Sequence, residues 1–173
     1  MPSIKSLLLC ATGALAVTSV TQVIADISLI DKNIQTLNTQ AASYTGGLAD
    51  SLTILGSLYN IYGSFVQGAT DASQLPASIS ESDAQSLMQH TNATLVGDSA
   101  TAVKTLKEKK GYFQELQMAG SVATALGQLS VGHEKFTKQV VQRTPDDMTP
   151  DEMSIMDIIM EVLKDGISFF ESQ

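Results

Sequence analysis

From residue 23 onward the apolar positions of this chain fall at helical spacing. Val23, Ile27, Ile30, Ile34, Leu37, Ala41 and Tyr44 are separated alternately by four and three residues, which sets them in one stripe along a helix. The pattern predicts helix one over about residues 20 to 44, with Asp26, Asp31 and Lys32 off the stripe. Thr45-Gly46-Gly47 ends it, because glycine takes the left-handed conformation that a helix C-cap needs. The same spacing resumes at once in Leu48, Leu52, Leu55, Tyr59, Tyr62, Val66 and Ala69, while Ile54, Leu58, Ile61 and Phe65 form a second stripe beside the first. Helix two is thus apolar over more than half its girth, and its remaining strip, with Gly56, Asn60 and Gly63, is small or neutral. Such a helix is expected to be surrounded by others.

Leu75-Pro76-Ala77-Ser78 reads as a connector, and Ser80 stands as N-cap ahead of the acids Glu81 and Asp83. Helix three runs through Leu87, Met88 and Leu95 to Gly97. Asp98-Ser99 caps a restart that carries Val103 and Leu106 toward Gly111, and Phe113, Leu116, Val122, Leu126 and Leu129 continue to about residue 130, as one kinked helix or two. A shorter amphipathic piece with Phe136, Val140 and Val141 precedes a tandem repeat, TPDDM at 144–148 and TPDEM at 149–153. In the second copy Thr149 is placed as N-cap, Pro150 at the first helical position and Glu152 as the return partner of a capping box. The last helix carries Ile155, Met156, Ile159, Leu163, Ile167 and Phe170. Together these elements predict an all-α, single-domain bundle of five to six amphipathic helices around a central apolar cavity or groove.

Composition agrees. A chain of 173 residues suffices for one sizeable core, and 43% hydrophobic residues with only 5% aromatics and no Trp describe aliphatic helix packing. The uncharged run between Asp50 and Asp71 is too diluted by Asn60, Gln67 and glycines to stay in lipid as a membrane span. The N-terminus reads as a secretory signal: Lys5, then the apolar run LLLCATGALAV at 7–17, with cleavage expected at residues 16 to 20 and the mature domain at 19–173. A second small-residue site after Ala25 would amputate helix one. Cleavage removes Cys10, the single cysteine, so the exported chain relies on packing rather than disulfides. Nine basic residues then face eighteen acidic ones, a balance that disfavours nucleic acid and anionic membranes. The chain stops at Gln173 with no hydrophobic tail to signal a GPI anchor.

Catalytic chemistry is thin, and neither metal nor cofactor is expected. His133-Glu134 begins like a zinc-protease motif, but Thr137 stands where the second histidine belongs; His133 and His90 are read as surface residues. No nucleophile elbow, P-loop or calcium loop is present, and the acid pairs Asp146-Asp147 and Asp151-Glu152 suit helix starts. Lys104, Lys107, Lys109 and Lys110 form either a solvated helix end opposing the C-terminal dipole or, at Lys109 and Lys110, a counter-charge for a ligand carboxylate. Asn92-Ala93-Thr94 is an N-glycosylation sequon. Met148, Met153, Met156 and Met160 supply adaptable packing or adaptable binding.

The ordered set IADISLID at 24–31, Ile34, Leu37, Tyr44 with Gly46-Gly47, Leu106 with Lys109-Lys110 and Phe113, and Ile167 with Phe169-Phe170 resembles the fungal hydrophobic surface-binding protein A family, the cell-wall galactomannoproteins. The likeness spans about residues 20 to 172. It implies a secreted helical bundle that associates with hydrophobic material; some members recruit polyester-degrading hydrolases, and related mannoproteins enclose fatty acids. The absence of a Ser/Thr-rich tail departs from anchored members and favours free secretion over wall attachment. The expected function is non-catalytic binding of lipids or hydrophobic surfaces, with a coat protein or a host-directed effector as the alternatives. A cavity of this kind would draw on Ile30, Leu37, Leu55, Phe113, Met156 and Leu163, with Tyr44, Tyr59 and Tyr62, each an apolar ring with a hydroxyl, and Gln114 or Gln117 as orienting polar groups. Gly56 and Gly63 mark a face that either lets a neighbouring helix come close or leaves room for a ligand.

Overall fold

The computed structural model describes residues 18–172; the leader and Cys10 lie outside the described residues. The helices are α1 (Val20–Ser43), α2 (Leu48–Ala72), α3 (Glu81–Thr91), α4 (Gly97–Glu108), α5 (Lys110–Glu115), α6 (Ala119–Val141) and α7 (Thr149–Glu171). No helix among the described residues is long and apolar enough to cross a membrane. Between α3 and α4 the chain does not stop. A π-helical turn, Asn92–Val96, joins them into one rod, so Asp98-Ser99 caps nothing; Asp98 instead accepts a hydrogen bond from Gln35 on α1 at 2.8 Å. Phe136, Val140 and Val141 continue α6 rather than forming a separate piece. The break comes earlier, at Gln117, whose φ of 57° turns the chain between α5 and α6.

Five long rods close into a ring. α1 packs on α2, α2 on α6, α6 on α7, α7 on α4, and α4 back on α1. Ser28 meets His90, Asn38 meets Thr105 and Tyr44 stacks on Phe113, a rising order of pairs that makes α1 parallel to the α3–α4 rod. The turn between α1 and α2 works because Gly46 and Gly47 have φ of 104° and 106°, strained for any side chain. Each rod turns one stripe inward, and the α1 stripe from Val23 to Tyr44 is wholly buried, as its spacing predicts.

On α2 the expectation of an enclosed helix fails. With only α1 and α6 as flanking rods, the helix buries Ile54, Leu58, Ile61 and Phe65 and leaves Leu48, Leu52 and Tyr59 exposed at 58%, 55% and 49%. Gly56 and Gly63 lie on that outer face, and a Cβ at either would meet nothing within 4 Å. They form neither a helix contact nor a cavity wall. The close approaches occur elsewhere: a Cβ on Gly132 would stand 2.9 Å from the Tyr62 ring, and one on Gly166 would stand 2.9 Å from a Val103 methyl.

Candidate functional site

The inward stripes meet in a seam that all five rods line: Ile34 and Leu37 from α1, Ile61 and Phe65 from α2, Ala102, Val103 and Leu106 from α4, Leu126 and Leu129 from α6, Ile159 and Leu163 from α7. Ser99 is the one lining residue with a side-chain hydroxyl. The seam encloses about 20 Å³ of free space, room for about one water-sized sphere. Of the expected cavity residues Leu37 and Leu163 line it; Ile30 and Met156 are buried about one helical turn from its lining residues Ile34 and Ile159. Leu55 and Tyr62 are half-buried, and Tyr59 faces out.

Tyr44 and Phe113 close one end. Their rings stack at 4.8 Å, Phe170 meets Phe113 edge-on at 6.0 Å, and the Tyr44 hydroxyl lies 2.5 Å from Ser51 Oγ. Gln114 and Gln117 are exposed beyond this plug. The lysines here are engaged. Lys110 Nζ donates to the carbonyls of Phe169 at 2.8 Å and Ser172 at 2.5 Å, Lys107 pairs with Asp165 at 2.7 Å, and both ammoniums lie over the Phe169 ring. Lys110 thus satisfies C-terminal carbonyls of α7, a neighbouring helix rather than its own, while Lys107 is paired with a carboxylate of the same helix. Lys109 sits 6.0 Å from the centre of the Tyr112 ring. Asn92 is exposed at the start of the π-turn, and Thr94 of its sequon donates to the His90 carbonyl.

Four titratable residues that the pattern assigns to the surface are buried. Asp26 and Asp31, off the stripe in the helix-one pattern, nevertheless tuck between α1 and its neighbours. Burial raises the carboxyl of Asp31 to about 6, and a hydrogen bond and repulsion from Asp98 add to the effect; Gln35 Nε2 bridges the two carboxylates. Asp26 is raised chiefly by burial, with Asp71 contributing. His133 is 1% exposed, its ring edge-on to Phe65 at 5.5 Å, and burial lowers its pKa to about 4. The signal for its burial was present: Leu129, His133, Phe136 and Val140 share helical spacing, although Glu134 and Lys135 beside it suggest a solvated segment. Glu152 is 0% exposed and its carboxyl is raised to about 7 by desolvation. The capping box does not form because α7 begins at Thr149 itself, whose hydroxyl donates to Pro145 O. That register puts Glu152 on the inward stripe with Met156, Ile159, Leu163, Gly166 and Phe170.

A model of the family described as hydrophobic surface binding protein A matches residues 20–142. The chain belongs to this family. No curated protein matches its sequence, whereas solved structures share the family member's fold. Afmp4p in complex with palmitic acid superposes with a TM-score of 0.84 at 18% identity, over 88% of this chain and 100% of that one. Ligand binding domain 2 of the Penicillium marneffei MP1 protein, complexed with multiple arachidonic acids, gives 0.79 at 23% identity over 88% and 94%. Domain 1 of the same protein, also with arachidonic acids, gives 0.81 at 19% over 90% and 99%. The family member thus has the helical bundle that those three share, and no strand occurs among its described residues.

Proposed function

We propose that the mature chain is a secreted, non-catalytic protein that takes the hydrocarbon chain of a fatty-acid-like lipid into the seam between its five rods. The observation that carries this reading is a lining contributed by every rod and almost wholly apolar; similar folds solved with palmitic and arachidonic acids support it. The leader at residues 1 to 18 supports secretion, and α1 begins at Val20 with Ser19 as its cap. Ligand sites for small molecules usually offer about 300 Å³ or more, so the rods must part or repack to admit a chain. Burying about fourteen methylenes gains about 11 kcal/mol. Micromolar affinity requires about 8 kcal/mol, which leaves about 3 for opening. Delipidated protein titrated with palmitate is expected to show saturable adducts in native mass spectra and a raised melting temperature; absence of both overturns the proposal.

The outer face of α2 favours a second mode, adsorption. Leu48, Leu52 and Tyr59 project from a helix without a charge between Asp50 and Asp71, the property of a surface that meets apolar solids. Adsorbed through this face, the molecule keeps its acidic faces in solvent, where a partner such as a secreted hydrolase would be held. Depletion onto hydrophobic beads without a saturable ligand distinguishes adsorption from uptake.

A further inference from the structure

On the outside of the bundle a groove of about 390 Å³ runs between α6 and α7. Its walls are Ser130, Glu134 and Thr137 on one side and Asp157, Met160 and Lys164 on the other, and its floor is His133 and Met156, both 1% exposed. Neither His133 Nδ1 nor Nε2 has a partner, and Thr137 Oγ1 is likewise buried without one. Buried polar atoms are nearly always hydrogen-bonded, so an imidazole and a hydroxyl left open in one groove point to a ligand that supplies the bonds.

We propose that this groove is a head-group site, taking the uncharged, hydroxyl-bearing head of a long-chain alcohol or monoacylglycerol while its chain passes Met156 into the core seam. The proposal rests on the reading that a hydrocarbon chain enters the seam. The two spaces are adjoining. His133 packs on Phe65, which lines the seam, and Leu129 and Ile159 of the seam wall lie about one helical turn from His133 and Met156 respectively. Met156 is an unbranched, flexible thioether side chain, of the kind that adapts its rotamer to what lies beside it.

Charge selects the head. The imidazole is held neutral, so it presents one donor and one acceptor, and the Thr137 hydroxyl presents another of each. A hydroxyl head matches both, as donor and as acceptor. A carboxylate can only accept, and it would approach between Glu134 and Asp157 while Lys164, the one cation in the walls, is paired with Glu161 at 2.9 Å. Like charges disfavour that approach.

The test compares dodecanol, dodecanoate and dodecane as probes on the delipidated chain, at about pH 8 so that the acid is ionised. Dodecanol is expected to bind at least tenfold more tightly than dodecanoate. In protein carrying nitrogen-15 histidine, the His133 ring resonances move on adding dodecanol but stay still with dodecane, with His90 as the internal reference. Thr137→Val and His133→Phe should each collapse the dodecanol-to-dodecane affinity ratio by about tenfold. A dodecanoate affinity equal to or above that of dodecanol, or variants that weaken both probes alike, overturns the head-group assignment alone. Failure of all three probes to bind overturns the seam reading with it.

Discussion

Replacing Glu152 by glutamine keeps the shape of the side chain and removes its titration. In the folded protein the carboxyl is buried with both oxygens unpartnered, and its pKa stands at about 7 against an ordinary 4.5. The native state therefore holds a proton that the unfolded chain releases across that interval. Stability falls with pH wherever the native state binds more protons, so the contribution of the neutral carboxyl is fully present below 4.5 and is lost as pH rises through about 7. At about 1.4 kcal/mol per tenfold change in proton affinity, the loss is about 3 kcal/mol once the group is ionised in both states. Glu152→Gln minus wild type should then grow from a constant at low pH to about 3 kcal/mol more favourable at about pH 8, with about 1 kcal/mol of the rise complete at about pH 5. For a chain of this size that corresponds to a melting temperature raised by about 6–12 °C. Urea unfolding of both proteins across this range measures the difference. A flat difference refutes the reasoning, because it would mean that the carboxylate is partnered or solvated in the fold.

The difference is the quantity to follow, since the wild-type profile hides the effect. His133 is shifted oppositely, from 6.5 to about 4. Its neutral form contributes stability that is present above 6.5 and lost as pH falls through about 4. Between about 4.5 and 6.5 the two slopes oppose each other at similar size, while the raised carboxyls of Asp26 and Asp31 add to the falling one. Subtraction removes every group except Glu152, whereas the variant's own profile still carries the rising slope of His133 against the falling slopes of Asp26 and Asp31.

Four further variants test the packing and the exposed face of α2. Gly56→Ala, on an open helix surface, should stabilise by about 0.5–1 kcal/mol, whereas Gly166→Ala drives a methyl toward Val103 and Leu126 and should destabilise by about 1–3 kcal/mol; paired thermal melts read both. Lys110→Met removes the donor to the Phe169 and Ser172 carbonyls and should cost about 1 kcal/mol, with faster amide exchange confined to the last turn of α7. Leu52→Asp charges the outer face of α2 and should leave stability within about 0.5 kcal/mol while sharply reducing depletion onto hydrophobic beads.

How far the bundle could be read from residue order depends on how many stripes each helix carries. α1 has one apolar stripe, and every member of it from Val23 to Tyr44 is buried. α2 carries two, and periodicity alone has no means of choosing between Ile54–Phe65 and Leu48–Tyr59; the choice is made by which rods flank the helix, which is a property of the ring. The same limit governs the candidate site. Leu37 and Leu163 reach the seam because they are central members of single stripes, whereas the glycines of α2 were tied to whichever stripe was taken as inward. The misses of greater consequence share a different cause. Glu152, His133, Asp26 and Asp31 are polar residues at inward or flanking positions, and a pattern that sorts residues into apolar-inside and polar-outside must assign all four to water. Glu152 shares helical spacing with Met156, Ile159 and Leu163, and His133 shares it with Leu129 and Phe136, so in both the inward spacing is present and the polar side chain masks it. Local rules are broken where a protein has some other use for the residue or tolerates a cost in stability. In a core this apolar, unpartnered Glu152 and His133 are where that cost concentrates, and that argues for seeking polar ligand contacts at His133 between α6 and α7 rather than at the lysine-rich end, whose charges already hold the last turn of α7.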